Sequence, residues 1–238
     1  AFMFIKISAV DFGPILLVTL RLLIAGLVFM PMLLRKKCRK MFKSHLPGIL
    51  IIAVFSNALP FTLFAYASLG ATSNMLGILN GTTAFMTTII AYFWLQESIS
   101  SKQLIGLAAG FIGVFILVNP ANASSTITAS ICALVGSLCY AFNGNYLQKH
   151  HSKSNKRVLI GWSMFCGGFF MIPLAAFNMP SSMPSINSFM ALMWLAVIST
   201  GIGYLGYIRL ISRIGAVKTS TLTYPVSYTH LRAHETDI

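Results

Sequence analysis

The chain has 238 residues, 56% of them hydrophobic and 9% charged, with a mean hydropathy of +0.79; soluble chains carry about 25% charged residues. A soluble globular protein is excluded, and a membrane protein is indicated. Seventeen Lys and Arg against four Asp and Glu give a net charge of +13, but the basic residues interrupt long apolar runs instead of coating a polar scaffold, so no nucleic-acid partner is expected.

In chain order, residues 1–9 read as the remainder of a first helix whose start is missing, since the chain opens on Ala1 and is apolar at once. No signal peptide is legible. Apolar runs of spanning length follow at 14–34, 47–66, 73–95, 103–119, 127–148, 158–177 and 189–211, and another begins near Val217. That makes eight to nine spans, which rules out a single-anchor enzyme. From Val226 the pattern breaks: Val226-Ser227-Tyr228-Thr229-His230-Leu231-Arg232-Ala233-His234-Glu235-Thr236 resembles one translated frame of a DNA-library adapter. Residues 226–238 are therefore expected to be a non-native tail. The body before it keeps two carboxylates, Asp11 and Glu97.

The connections alternate in charge. Segments 35–46, 96–102, 149–157 and 212–216 together hold twelve Lys and Arg, while 10–13, 67–72, 120–126 and 178–188 hold none. By the positive-inside rule the first set is cytoplasmic, and so is the N-terminus. The basic run 35–40 is read as a topology anchor rather than a lipid-specific patch. An internal repeat is also visible. Lys6 matches Lys149, Gly26 to Pro31 matches Gly168 to Pro173, Ala53 to Ser56 matches Ala196 to Ser199, and Gly70-Ala71 matches Gly215-Ala216, all about 143 residues apart. Matched connections carry opposite charge, as an odd number of helices per copy requires. The expected architecture is an all-α polytopic membrane protein of two inverted five-helix repeats. The first repeat is 1–119; the second is 127–224, lacking most of helix nine and all of helix ten.

Several stretches resemble the EamA-type branch of the drug/metabolite transporter superfamily. Leu95-Gln96-Glu97-Ser98-Ile99, Leu104-Ile105-Gly106 and Gly110-Phe111-Ile112-Gly113-Val114 look like its junction of helices four and five. Thr19-Leu20-Arg21 after Pro14 looks like its second helix, and Leu79-Asn80-Gly81-Thr82-Thr83-Ala84 matches its fourth, with Ala84 where the family often has Pro. The resemblance covers Ala1 to Tyr224 and implies export or exchange of small metabolites across an inner or plasma membrane.

Ionisable groups inside a span are costly and mark function. With Arg209 and Lys218 flanking the 212–216 connection, Lys6 and Arg21 are the cations left within the spans, and either could attract a carboxylate or phosphate; Arg21 could equally snorkel or brace against Asp11. Glu97 ends the fourth helix, where a negative charge needs a partner, and Lys102 or Arg213 could form a structural or gating ion pair with it. Helical spacing groups Gly77, Asn80, Thr83 and Thr87 on the fourth helix and Ser137, Tyr140 and Gly144 on the sixth. On the eighth, Ser199, Gly203 and Tyr207 share a face that Thr200 and Tyr204 adjoin. With Asn57 beside Pro60 on the third, they suggest a polar cavity near mid-membrane, although small and hydroxyl residues also serve packing. The candidate cavity set is Lys6, Arg21, Asn57, Asn80, Thr83, Tyr140, Ser199 and Tyr204. The fifth helix reads as scaffold.

Cys38, Cys132, Cys139 and Cys166 lack metal-type spacing, His230, His234 and Glu235 fall in the suspect tail, and there is no Walker motif. No metal, cofactor or enzymatic activity is expected. The partners implied are a small solute and the bilayer, with a homodimer left open. A secondary carrier working by alternating access is the leading reading; a lipid-carrier flippase, or a membrane enzyme or accessory subunit, is the alternative.

Overall fold

The computed structural model describes residues 2–98, 105–106, 109–110, 112–113, 127–152, 154–180 and 183–220. Every regular element among them is helical. We number them α1 (Phe2–Phe12), α2 (Pro14–Leu33), α3 (Lys36–Ser44), α4 (Leu46–Gly70), α5 (Ser73–Leu95), α6 (Ile127–His150), α7 (Lys156–Ala176) and α8 (186–220). Among the described residues six helices are long and apolar enough to cross a membrane: α2, α4, α5, α6, α7 and the stretch Ile186–Ile211 of α8. The chain is an all-α polytopic membrane protein. Most of the expected fifth helix and residues 221–238, with the adapter-like tail, lie outside the described residues.

The helix boundaries follow local chemistry. Gly13, at φ 70° and ψ 153°, takes a backbone region closed to side chains, which lets α1 turn directly into Pro14 at the first position of α2. Thr72, Asn155 and Ser185 cap α5, α7 and α8, their side chains accepting from Met75, Arg157 and Ser188 backbone N–H groups.

Two connections differ from the sequence expectation. The basic segment 35–46 contains the amphipathic helix α3, whose Phe42 packs on Trp162 at 4.5 Å between ring centres. Trp162 Nε1 also donates to the Cys38 carbonyl at 3.3 Å, so this helix lies across the bundle's end with its cations outward. Segment 212–216, expected as a loop, continues α8 as helix to Ser220; it contains no Pro, and a single Gly costs a helix only about 1 kcal/mol.

Helix directions follow from the contacts. α2 and α7 cross antiparallel, Gly26 resting on Phe165 and Gly168 on Leu23. α4 runs antiparallel to α6, joined by His45 with His151 and by Phe64 on Gly136; α1 runs antiparallel to α8, joined by Ser8 with Ser188 and by Phe4 with Trp194. α5 and α6 run parallel, since Ser137 donates to the Leu79 carbonyl and Asn145 to that of Thr87, each at 3.0 Å. Basic connections 35–46 and 149–157 therefore share one end of the bundle, and 10–13 and 178–188, which hold no Lys or Arg, share the other.

The main core is built on the α2–α7 crossing, where Leu22, Phe29 and Leu33 meet Ile160 and Met164 with almost no exposure. Large apolar side chains elsewhere, such as Leu27, Phe170 and Phe189, are exposed; on a membrane protein these face lipid.

Candidate functional site

The spanning helices α4, α5 and α8 each contain a wide, π-helical turn: Ala91–Leu95 ends α5, while Ala53–Ala58 in α4 and Trp194–Ile202 in α8 approach across the bundle, Ser56 of the first meeting Tyr204 just after the second. Their hydrogen bonds skip one residue more than an α-helix does, with Leu59 N–H reaching the Val54 carbonyl and Gly203 N–H that of Ile198. Such turns rotate the following face and are frequent at functional sites. Between those of α4 and α8, against α2 and α7, lies a buried polar cluster.

Arg21 is its charged member. The side chain is 7% exposed; its Nε donates to Thr200 Oγ1 at 2.8 Å, and its guanidinium carbon sits 3.9 Å from the centre of the Phe61 ring. Thr200 in turn donates to the Leu195 carbonyl at 2.7 Å, five residues back across the π-turn. The Tyr140 ring stands edge-on to that of Phe61, centres 6.3 Å apart, and the Tyr204 hydroxyl meets Ser56. Tyr140 also stacks on Phe64, ring centres 5.9 Å apart.

Asn57 is fully buried, with its Nδ2 donating to Ser163 Oγ at 2.9 Å and its Oδ1 without a partner among the described residues. Nearby, Pro60 has no N–H to offer the turn before it. The Ser56 carbonyl accepts instead from the Tyr204 hydroxyl, at 3.1 Å. A freed backbone carbonyl is thus satisfied from another helix, as a membrane interior demands.

The other sequence candidates are distributed around this cluster. Thr83 is buried with its hydroxyl unpartnered, and Asn80 is half-buried on the same helix. Ser199 is half-buried; its neighbour Thr200, which the π-turn rotates inward, makes the contact to Arg21. Lys6 is exposed, and its Nζ donates to the Ala71 carbonyl at 3.3 Å, capping the end of α4 away from Arg21. Asp11, the alternative brace for Arg21, instead accepts from Ser185 N at 2.9 Å, Ser185 Oγ at 2.6 Å and Ser188 Oγ at 2.8 Å. These bonds hold its carboxyl below the usual carboxylate range. Glu97 accepts from Gln148 Nε2 at 2.5 Å, Arg213 is exposed on α8, and Lys102 lies outside the described residues.

Ser163, Ser56 and Phe61 were not singled out from the sequence, yet the repeat separation could have found them. About 143 residues relate Arg21 to Ser163 and Asn57 to Thr200, so the Arg21–Thr200 and Asn57–Ser163 bonds occupy matched positions. The same step relates Phe61 to Tyr204, and Ser56 to Ser199. At the end opposite the basic connections Asp11 and Ser8 meet Ser188; at the basic end the matched residues Ser154 and His151 meet His45, by a 3.4 Å polar contact and by rings 5.7 Å apart.

The family model for the EamA-like transporter family matches the chain twice, over residues 1–119 and 127–227. An uncharacterized transporter of Archaeoglobus fulgidus is 22% identical over 233 residues, covering 98% of this chain and 83% of that protein. Another from Clostridium kluyveri is 24% identical, covering 84% and 68%. The inner membrane transporter YedA of Escherichia coli K12 is 22% identical, covering 92% and 72%. With its spanning helices and two family matches, the chain belongs to the EamA-like transporter family and is a multi-pass membrane transporter.

Proposed function

We propose that the protein is a secondary carrier that moves small metabolites across an inner or plasma membrane by alternating access of two inverted copies of one five-helix unit, 1–119 and 127–224. The observation that carries this reading is the recurrence of polar contacts at matched positions. One pair, Arg21–Thr200 and Asn57–Ser163, lies in the buried cluster, and another lies at the two ends, Asp11–Ser188 and His45–Ser154. A duplicated, inverted unit has two alternative packings about its central axis. The buried cluster is the solute site; the end contacts, which tie α1 to α8 and α4 to α6, are the closures of the two mouths. The basic end faces the cytoplasm.

The test is efflux from vesicles. The full-length protein is reconstituted, the vesicles are loaded with a bacterial metabolite extract, and the solutes that leave are identified by mass spectrometry against protein-free vesicles. Selective loss of small solutes is expected. Retention of every solute, with movement of lipid between leaflets instead, overturns the carrier in favour of a flippase.

A further inference from the structure

Resting on that reading, we infer that the solute is a monovalent organic anion, a monocarboxylate with an apolar body, and that Arg21 is its counter-ion. Arg21 is buried, and removing a cation from water costs several kcal/mol unless it is paired. Its partners here are neutral: the Thr200 hydroxyl and the face of Phe61. The two carboxylates among the described residues are occupied elsewhere, Asp11 by Ser185 and Ser188 and Glu97 by Gln148. Among the described residues only Nε of the guanidinium is hydrogen-bonded, and the two terminal amino groups are not among the sealed polar atoms. A guanidinium anchored through Nε keeps its other edge free for a planar, two-oxygen acceptor.

Charge number narrows the class further. Lys6, the cation on α1, is exposed and engaged by the Ala71 carbonyl, so among the described residues one positive charge serves the site. A phosphate monoester dianion would bring an uncompensated negative charge into the protein interior; a carboxylate is neutralised. Amines and polyamines are repelled, and no described carboxylate stands in the cluster to receive them. Phe61, Phe64 and Tyr140 give the remainder of the solute an aromatic wall. The anion completes the interaction that the protein leaves open, and its departure restores the cost, which keeps binding reversible.

The efflux assay separates this inference from the carrier reading. If the escaping solutes are monocarboxylates, it stands; if they are amines, neutral solutes or phosphate esters, it fails while the carrier reading survives; if none escapes, the carrier reading fails. Arg21→Gln is expected to lower monocarboxylate efflux more than tenfold, and Arg21→Lys, which keeps the charge but loses the fork, to retain part of it. Wild-type flux in a folded Arg21→Gln protein would overturn the assignment. Should Arg21→Gln not fold, thermal-shift titration of the wild-type protein with sodium benzoate and with benzylamine hydrochloride decides. Benzoate is expected to raise the unfolding midpoint and benzylamine to leave it unchanged; the reverse result overturns the proposal.

Discussion

Single residues in this protein do work that their type alone does not reveal. Pro60 illustrates this: its missing N–H was legible in the sequence, but the group that repairs the gap, the Tyr204 hydroxyl, stands 148 positions away. Tyr204→Phe keeps the ring and leaves the Ser56 carbonyl without that donor. A buried orphaned acceptor costs about 1–3 kcal/mol, so the unfolding midpoint in detergent should fall, with little change in helix content. Ser199 and Thr200 carry a related lesson. A 3.6-residue period placed Ser199 on the cavity face, whereas the π-turn fits more residues into each turn, rotates less per residue, and leaves the next one, Thr200, at Arg21. The residue types announced a polar cluster; the contact itself depended on a backbone irregularity that periodicity does not encode.

At the scale of helices, the α2–α7 crossing depends on glycine allowing close approach. A Cβ on Gly168 would stand 2.9 Å from Leu23 Cγ and 3.0 Å from its backbone nitrogen. Gly168→Val is expected to destabilise by about 1–3 kcal/mol, the usual cost of overpacking, measured by thermal unfolding in detergent. Gly206, on α8, has nothing within 4 Å of an added Cβ. Gly206→Ala is the matched control and should be neutral or stabilise by about 0.5–1 kcal/mol through helix propensity. The positions of the long helices were legible because twenty apolar residues have one cheap conformation in lipid. Helix α3 was not: its charge suggested a loop, and its amphipathic face gains meaning only against Trp162.

For the whole molecule, the two ends differ in chemistry and therefore in response to pH. At the basic end His151 is buried with both ring nitrogens unpartnered, and burial, with His45, His150 and Lys156 nearby, pushes its pKa below 6.5. As pH falls below that value the unfolded chain takes up the proton before the folded one, so stability falls; above it both states are neutral and the effect vanishes. His151→Gln should flatten the midpoint between about pH 7 and 5. Asp11, at the other end, is depressed below 3.8, so its contribution is present above 3.8 and is lost as pH falls through the lower folded value. Asp11→Asn should alter the profile only at that acidic end. Sidedness has its own check: in a background with the native cysteines replaced by Ser, Met183→Cys, 97% exposed, should react with an impermeant thiol reagent from outside intact cells, and Lys37→Cys should not. By itself the sequence determined the membrane class, the positions of the six described spans, the alternation of the connections and the 143-residue echo, because hydropathy and charge act along the chain and against the bilayer. Only the tertiary structure decided that Arg21 meets Thr200, 179 positions away, while Asp11 and Glu97 stay at the ends. No local rule pairs such distant residues; packing does, and it leaves the buried Arg21 without a carboxylate among the described residues.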